Sequence, residues 1–173
     1  MMTARRGAAA CLCVLACLLA GVATAAPSAR EVAPPSMRPA TGWVIVKRSR
    51  SQPWIASSMI IAVTAGDLGA VHPFAAFTSL TRLSPRGILV WAGTIGRNRQ
   101  TFAPIQWPPR LSSFRVDHGW EGQPAPRVQQ RLKWGLINGW DMEVRVYFGT
   151  QHPDRQLLQE AQAQIDRIVL PSR

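Results

Sequence analysis

Thiols are confined to one end of this chain: Cys11, Cys13 and Cys17 are its three cysteines, and none follows. From Leu18 onward there is no disulfide to staple a fold, no thiolate ligand for zinc and no cysteine nucleophile. Histidine is scarce too. His72, His118 and His152 stand far apart, two of them directly before a proline, and no pair has the spacing of zinc ligands. No metal centre is expected. Neither a phosphate-cradling glycine loop nor a Gly-x-Ser-x-Gly elbow occurs, so the sequence points to no nucleotide, no cofactor and no serine-hydrolase chemistry. Acidic residues number nine against twenty basic ones, and of those twenty only Lys47 and Lys133 are lysines.

What the N-terminal stretch does carry reads as an export signal. Arg5 and Arg6 precede an uncharged apolar run over 8–20, and Ala23-Thr24-Ala25 offers the small-x-small pattern after which a signal peptidase cuts. The run is short and rich in alanine, whereas a spanning helix needs roughly 20 strongly apolar residues. We expect a signal peptide over 1–26 and an exported protein, secreted or associated with the cell envelope. Val14-Leu15-Ala16-Cys17 offers an alternative, a lipoprotein anchored through Cys17, although Leu15 is large for such a box. Pro27, Pro34, Pro35 and Pro39 among small and polar residues mark 27–41 as a disordered Pro-rich tether. Residues 42–173 are then one domain, large enough to bury a core without staples.

With Arg5 and Arg6 set aside, eighteen basic residues face nine acidic ones, a net charge of +9. Such an excess attracts anionic partners: an acidic envelope polymer, an anionic lipid surface or a carbohydrate. A protein partner is a further option. The basic residues are scattered, with Lys47, Arg48 and Arg50, then Arg97 and Arg99, nearest to clusters, and the dense run of a nucleic-acid-binding arm is missing. Nucleic acid is therefore not the expected partner. Arginine at the expense of lysine, beside much alanine, glycine and proline, is also what a base-composition bias produces without selection for charge.

Short β-branched or alternating segments predict six strands, over 43–48, 58–64, 87–95, 114–117, 128–136 and 141–148. A short helix is expected over 74–83, with Phe74, Phe77 and Leu80 on one side. A second is expected after Pro153, lined by Leu157, Leu158, Ala161, Ile165, Ile168 and Val169 and stopped by Pro171. The sum is an α+β domain: an antiparallel sheet of about six strands, a short helix after the second strand, and a C-terminal helix packed on one face.

The last two strands meet at Asn138-Gly139, the strongest short hairpin signal. A flush two-residue turn would set Trp134 opposite Glu143 and Leu132 opposite Arg145, driving one apolar set into solvent. The pattern therefore predicts a three-residue loop, or a bulge with Gly139 left-handed, that pairs Leu136 with Met142, Trp134 with Val144 and Leu132 with Val146.

Tryptophan is the remaining excess. Trp43, Trp91 and Trp134 fall in strands and are expected in the core, while Trp54, Trp107, Trp120 and Trp140 fall in loops or turns, where an indole face stacks on a sugar or sits at a headgroup. The aperiodic segment 96–112 adds Arg97, Arg99 and Arg110. The expected function is a non-enzymatic binding or accessory domain with a basic surface, its site built from Arg97, Arg99, Trp107 and Arg110, with Trp120 and Trp140 if the fold brings them near. The alternative is a small secreted hydrolase using Asp117, His118 and Glu121, the densest titratable group in the chain. Neighbours on a strand point to opposite faces, which separates Asp117 from His118 unless the strand ends there.

Overall fold

The computed structural model describes residues 35–46, 58–71, 80, 82–97, 102–117, 119–120, 123–124 and 127–170. In chain order they form β1 (Ser36–Met37), β2 (Trp43–Val46), β3 (Met59–Thr64), β4 (Ile88–Arg97), β5 (Arg115–Asp117), β6 (Gly119–Trp120), β7 (Gln123–Pro124), β8 (Gln129–Ile137), β9 (Trp140–Phe148), the helix α1 (Arg155–Ile165) and β10 (Ile168–Val169). Six of the strands make one antiparallel sheet in the order β2-β3-β4-β9-β8-β5. These are the six segments expected from the alternation. The chain is an α+β domain, its helix on one face of the sheet.

The two faces of the sheet bury separate cores. On the helix face Ala62, Val90, Val144, Val146 and Phe148 meet Leu157, Ala161 and Ile165 of α1, joined by Leu111, Phe114 and Met37. On the far face Ile61, Val63, Leu89 and Tyr147 are covered by Leu80 and Leu83. Each large apolar side chain so buried contributes roughly 1.5–3 kcal/mol. After β3 the chain turns through a 3-10 segment, Ala65–Val71, whose Asp67 accepts from the Ser84 N–H (2.6 Å) and the Thr64 hydroxyl (2.8 Å). Most of the helix expected over 74–83 lies outside the described residues.

The β8–β9 hairpin departs from the expectation. Ile137 pairs with Trp140 across a flush Asn138-Gly139 turn, so Trp134 stands opposite Glu143 and Leu132 opposite Arg145. Asn138 (φ 52°) and Gly139 (φ 81°) both take the left-handed backbone that a type I′ turn demands, and the left-handed Gly139 was part of the expectation. The expected pairing assumed one wet face. Both faces of β9 are instead covered, so its polar alternation of Asp141, Glu143 and Arg145 goes into the interior as readily as its apolar one. On the helix face the gap beside Gly135 is filled from elsewhere: a Cβ there would overlap Ile105, and Trp107 packs on Ile137, Trp140 and Met142. The slip of one residue exchanges two tryptophans. Trp140 is 6% exposed in the core, and Trp134 is 36% exposed beside Phe102.

The C-terminal helix is shorter than its apolar pattern. Asp154 caps it by accepting from the Leu157 N–H at 2.8 Å. It ends at Ile165, and Ile168–Val169 leave it to pair with Ser36–Met37. This part of the expected tether thus belongs to the fold, and Met37 is buried. Gln164 joins the two: its buried amide accepts from the Ala40 N–H (2.9 Å) and donates to the Arg38 carbonyl (3.0 Å), as a neighbouring strand would.

Candidate functional site

Between β4 and β5 the chain crosses the end of β8, held there by hydrogen bonds of Ile105 N–H to Leu136 O (3.2 Å) and Leu136 N–H to Ala103 O (2.9 Å). It then descends to the C-terminal end of α1. Gln162 fixes it in place, accepting from Leu111 N–H (2.7 Å) while donating to Pro109 O (3.2 Å). The Trp107 indole donates to Ile168 O at 3.3 Å. Trp107 and Arg110 are therefore set on a braced segment.

Two hollows open along this seam. One, of about 520 Å³, is lined by Trp107, Gln106, Arg110, Ser113, Lys133 and Asp166. The other, of about 280 Å³, is lined by Arg110, Arg131, Arg155, Ser112 and Gln159 over a floor of Leu111 and Leu158. Arg110 belongs to both. Arg131 and Lys133 are two apart on β8 and share its helix face, roughly 7 Å from each other along the strand. The guanidinium of Arg131 lies 6.0 Å from the Phe148 ring centre, and burial pulls its pKa below the ordinary arginine value.

The charge along the seam is uncompensated. Elsewhere three arginines have carboxylates: Arg86 reaches Asp154 (3.3 Å) and Glu160 (3.9 Å), Arg115 reaches Asp117 (3.7 Å), and Arg145 donates to Glu143, whereas Arg38, Arg82, Arg127 and Arg167 have none among the described residues. Among the described residues no carboxylate lies within ion-pair distance of Arg110, Arg131, Lys133 or Arg155. Arg131 donates to Gln129 Oε1 (3.0 Å) and Lys133 to Ser113 O (3.4 Å), both neutral acceptors. Asp166, the acid in the wall, accepts from Gln162 Nε2 at 2.7 Å.

Of the residues singled out in the sequence, Trp107 and Arg110 come together here. Trp140 lies in the buried cluster on which Trp107 packs, so it supports the cleft rather than lining it. Arg97 ends β4 and Trp120 lies in β6, and only their backbone is described. Arg99 falls outside the described residues, as do His118 and Glu121 of the hydrolase alternative. Asp117, its third member, is half-buried at the end of β5 and paired with Arg115. Arg131, Lys133 and Arg155 were missed. Their signal in the sequence was the alternation of β8 and the first turn of α1, but nothing local shows that the two elements bring those cations to one loop.

A second polar set lies on the far face of β9. Asp141 (1% exposed), Glu143 (6%) and Tyr147 (1%) are buried there in line with Arg145. Arg145 stacks over Trp91 at 5.5 Å and donates to Glu143. Burial alone would lower its pKa, but the charge and hydrogen bond of Tyr147 and the Glu143 carboxylate leave it raised. This holds a charge pair inside the sheet. Both carboxylate oxygens of Asp141 are buried without a hydrogen-bond partner. Among the described residues no group of three or more His, Cys, Asp or Glu side chains is placed to hold a metal, and no helix is long and apolar enough to cross a membrane. In comparisons with known proteins, no family model, no curated protein and no solved structure matches this chain.

Proposed function

We propose that this protein is an exported, non-enzymatic binding domain that docks on an anionic or carbohydrate-bearing surface of the cell envelope through the groove of Trp107 and Arg110. The observation that carries the reading is the gathering of four cations, Arg110, Arg131, Lys133 and Arg155, along one groove with no carboxylate within ion-pair distance among the described residues. Like charges held this close repel, and an anion laid along them relieves the repulsion while gaining charge-assisted hydrogen bonds. Guanidinium groups suit this role because their planar fork meets carboxylate or phosphate two bonds at a time. Partial burial of Arg131 strips water from it and strengthens each such contact.

The test is co-sedimentation of the purified protein with isolated envelope material across a salt series. Binding at low salt should fall by at least about tenfold between roughly 50 and 300 mM salt, as the Debye length shrinks. The pair Arg110→Gln and Arg131→Gln should remove most of that dependence without changing the circular dichroism spectrum. Absence of binding at every salt concentration would sink the proposal.

A further inference from the structure

We infer that the groove takes a linear acidic polysaccharide, one sugar ring lying on Trp107 and its carboxylates on Arg110, Arg131 and Arg155. The inference rests on the anionic-surface reading above and narrows it to one polymer class. Two hollows sharing a single arginine favour an extended ligand over a compact one, because a group held by Arg110 in the first leaves cations in the second for the next unit of the chain. The larger hollow has one aromatic wall. A half-buried indole whose N–H is already committed to Ile168 O offers its face, and a sugar ring presents a matching apolar face of C–H groups.

Asp166 decides between polyanions. It sits in the wall with Trp107, Arg110 and Lys133 and has an oxygen to spare beyond its bond from Gln162. A carboxylate repels the carboxylates of either polymer, but it accepts hydrogen bonds from sugar hydroxyls, which offset that repulsion for the glycan and which polyglutamate lacks. Gln106, Ser112, Ser113 and Gln159 extend the same logic, since neutral donors and acceptors suit hydroxyls. A lipid surface fits less well. Of the large exposed apolar residues among those described, Leu68, Ile95, Trp134 and Val169 are not in the groove lining and Val116 alone, opposite Arg131 on β5, borders it, which is little apolar surface to enter a bilayer.

The experiment is isothermal titration of the purified protein, at low and at moderate salt, with polygalacturonate, with polyglutamate of equal charge, and with vesicles containing phosphatidylglycerol. Polygalacturonate should bind at least about tenfold tighter than polyglutamate. Trp107→Leu should weaken the glycan by about tenfold and leave polyglutamate unchanged. Asp166→Asn should move the two in opposite directions, weakening the glycan and tightening polyglutamate. Arg110→Gln should weaken both. Trp107 also packs on the core, so if its variant unfolds, the exposed Asp166 decides the matter. Equal affinity for the two polymers with Asp166→Asn silent overturns the saccharide claim and leaves the anionic reading standing. Tighter binding to the vesicles than to polygalacturonate overturns it as well. No binding of any of the three at low salt overturns both readings.

Discussion

Single side chains in this fold do the work of missing strands and caps. The amide of Gln164, fully buried, is the one group that satisfies Ala40 N–H and Arg38 O at the place where the chain joins the sheet's helix face. Gln164→Leu keeps the volume but strands both backbone groups, and urea unfolding should show a loss of about 2–4 kcal/mol. Asp154 acts at the surface. The Leu157 N–H, followed by Arg86, holds its carboxyl below the usual aspartate range. A depressed folded pKa contributes stability that is complete above the unfolded value of about 3.9 and is lost as pH falls through the folded one. Melting temperature measured from pH 6 down to pH 2 should therefore drop below about pH 4, and Asp154→Asn, which keeps a capping oxygen but does not titrate, should flatten part of that drop. The start of the helix was legible in advance, expected just after Pro153, although it is Asp154 that caps it. The Gln164 clamp was not, because its partners lie more than a hundred residues away.

At the scale of elements, the strands were legible and one register was not. Each of the six predicted segments overlaps a strand of the sheet, because β-branched runs and alternation report a local preference. Register depends on which faces are wet, and that is not local. β9 is covered by α1 on one side and by Leu80, Leu83 and their neighbours on the other, so the hairpin follows its Asn-Gly turn and the burial of Glu143 with Arg145 is offset by their mutual pairing. The two registers make opposite forecasts. In the observed one, Trp140→Ala should cost about 3–5 kcal/mol by opening the core between Ile137 and Met142. Trp134→Ala should cost about 1 kcal/mol, the worth of its stacking with Phe102 and Arg115. Denaturant titration of the two variants side by side distinguishes them, and the reverse order would contradict the pairing.

Taken whole, the molecule is strongly basic, and part of that charge is gathered: among the described residues Arg110, Arg131 and Arg155, with Lys133, line one seam without a carboxylate partner. An anionic ligand that binds only the folded state should raise the melting temperature in proportion to the logarithm of its concentration above Kd. Polygalacturonate is expected to do so by a few degrees in a thermal scan at low salt, and the shift should vanish for Arg110→Gln. A shift of equal size in that variant would place the bound polymer elsewhere on the surface.

The residues alone determined the class of the fold and the whereabouts of most of its elements, because backbone propensity, alternation and capping act over a few positions. They also picked out Trp107 and Arg110, which a proline-rich, aperiodic segment marked as loop residues with something to present. Only the tertiary structure decided that Trp140 is core and Trp134 is not, that Ser36–Met37 belong with Ile168–Val169, and that Arg131, Lys133 and Arg155 complete the groove. Each of those outcomes turns on contacts between segments distant in the chain, where covering a face or meeting a neighbour outweighs what any short stretch prefers by itself.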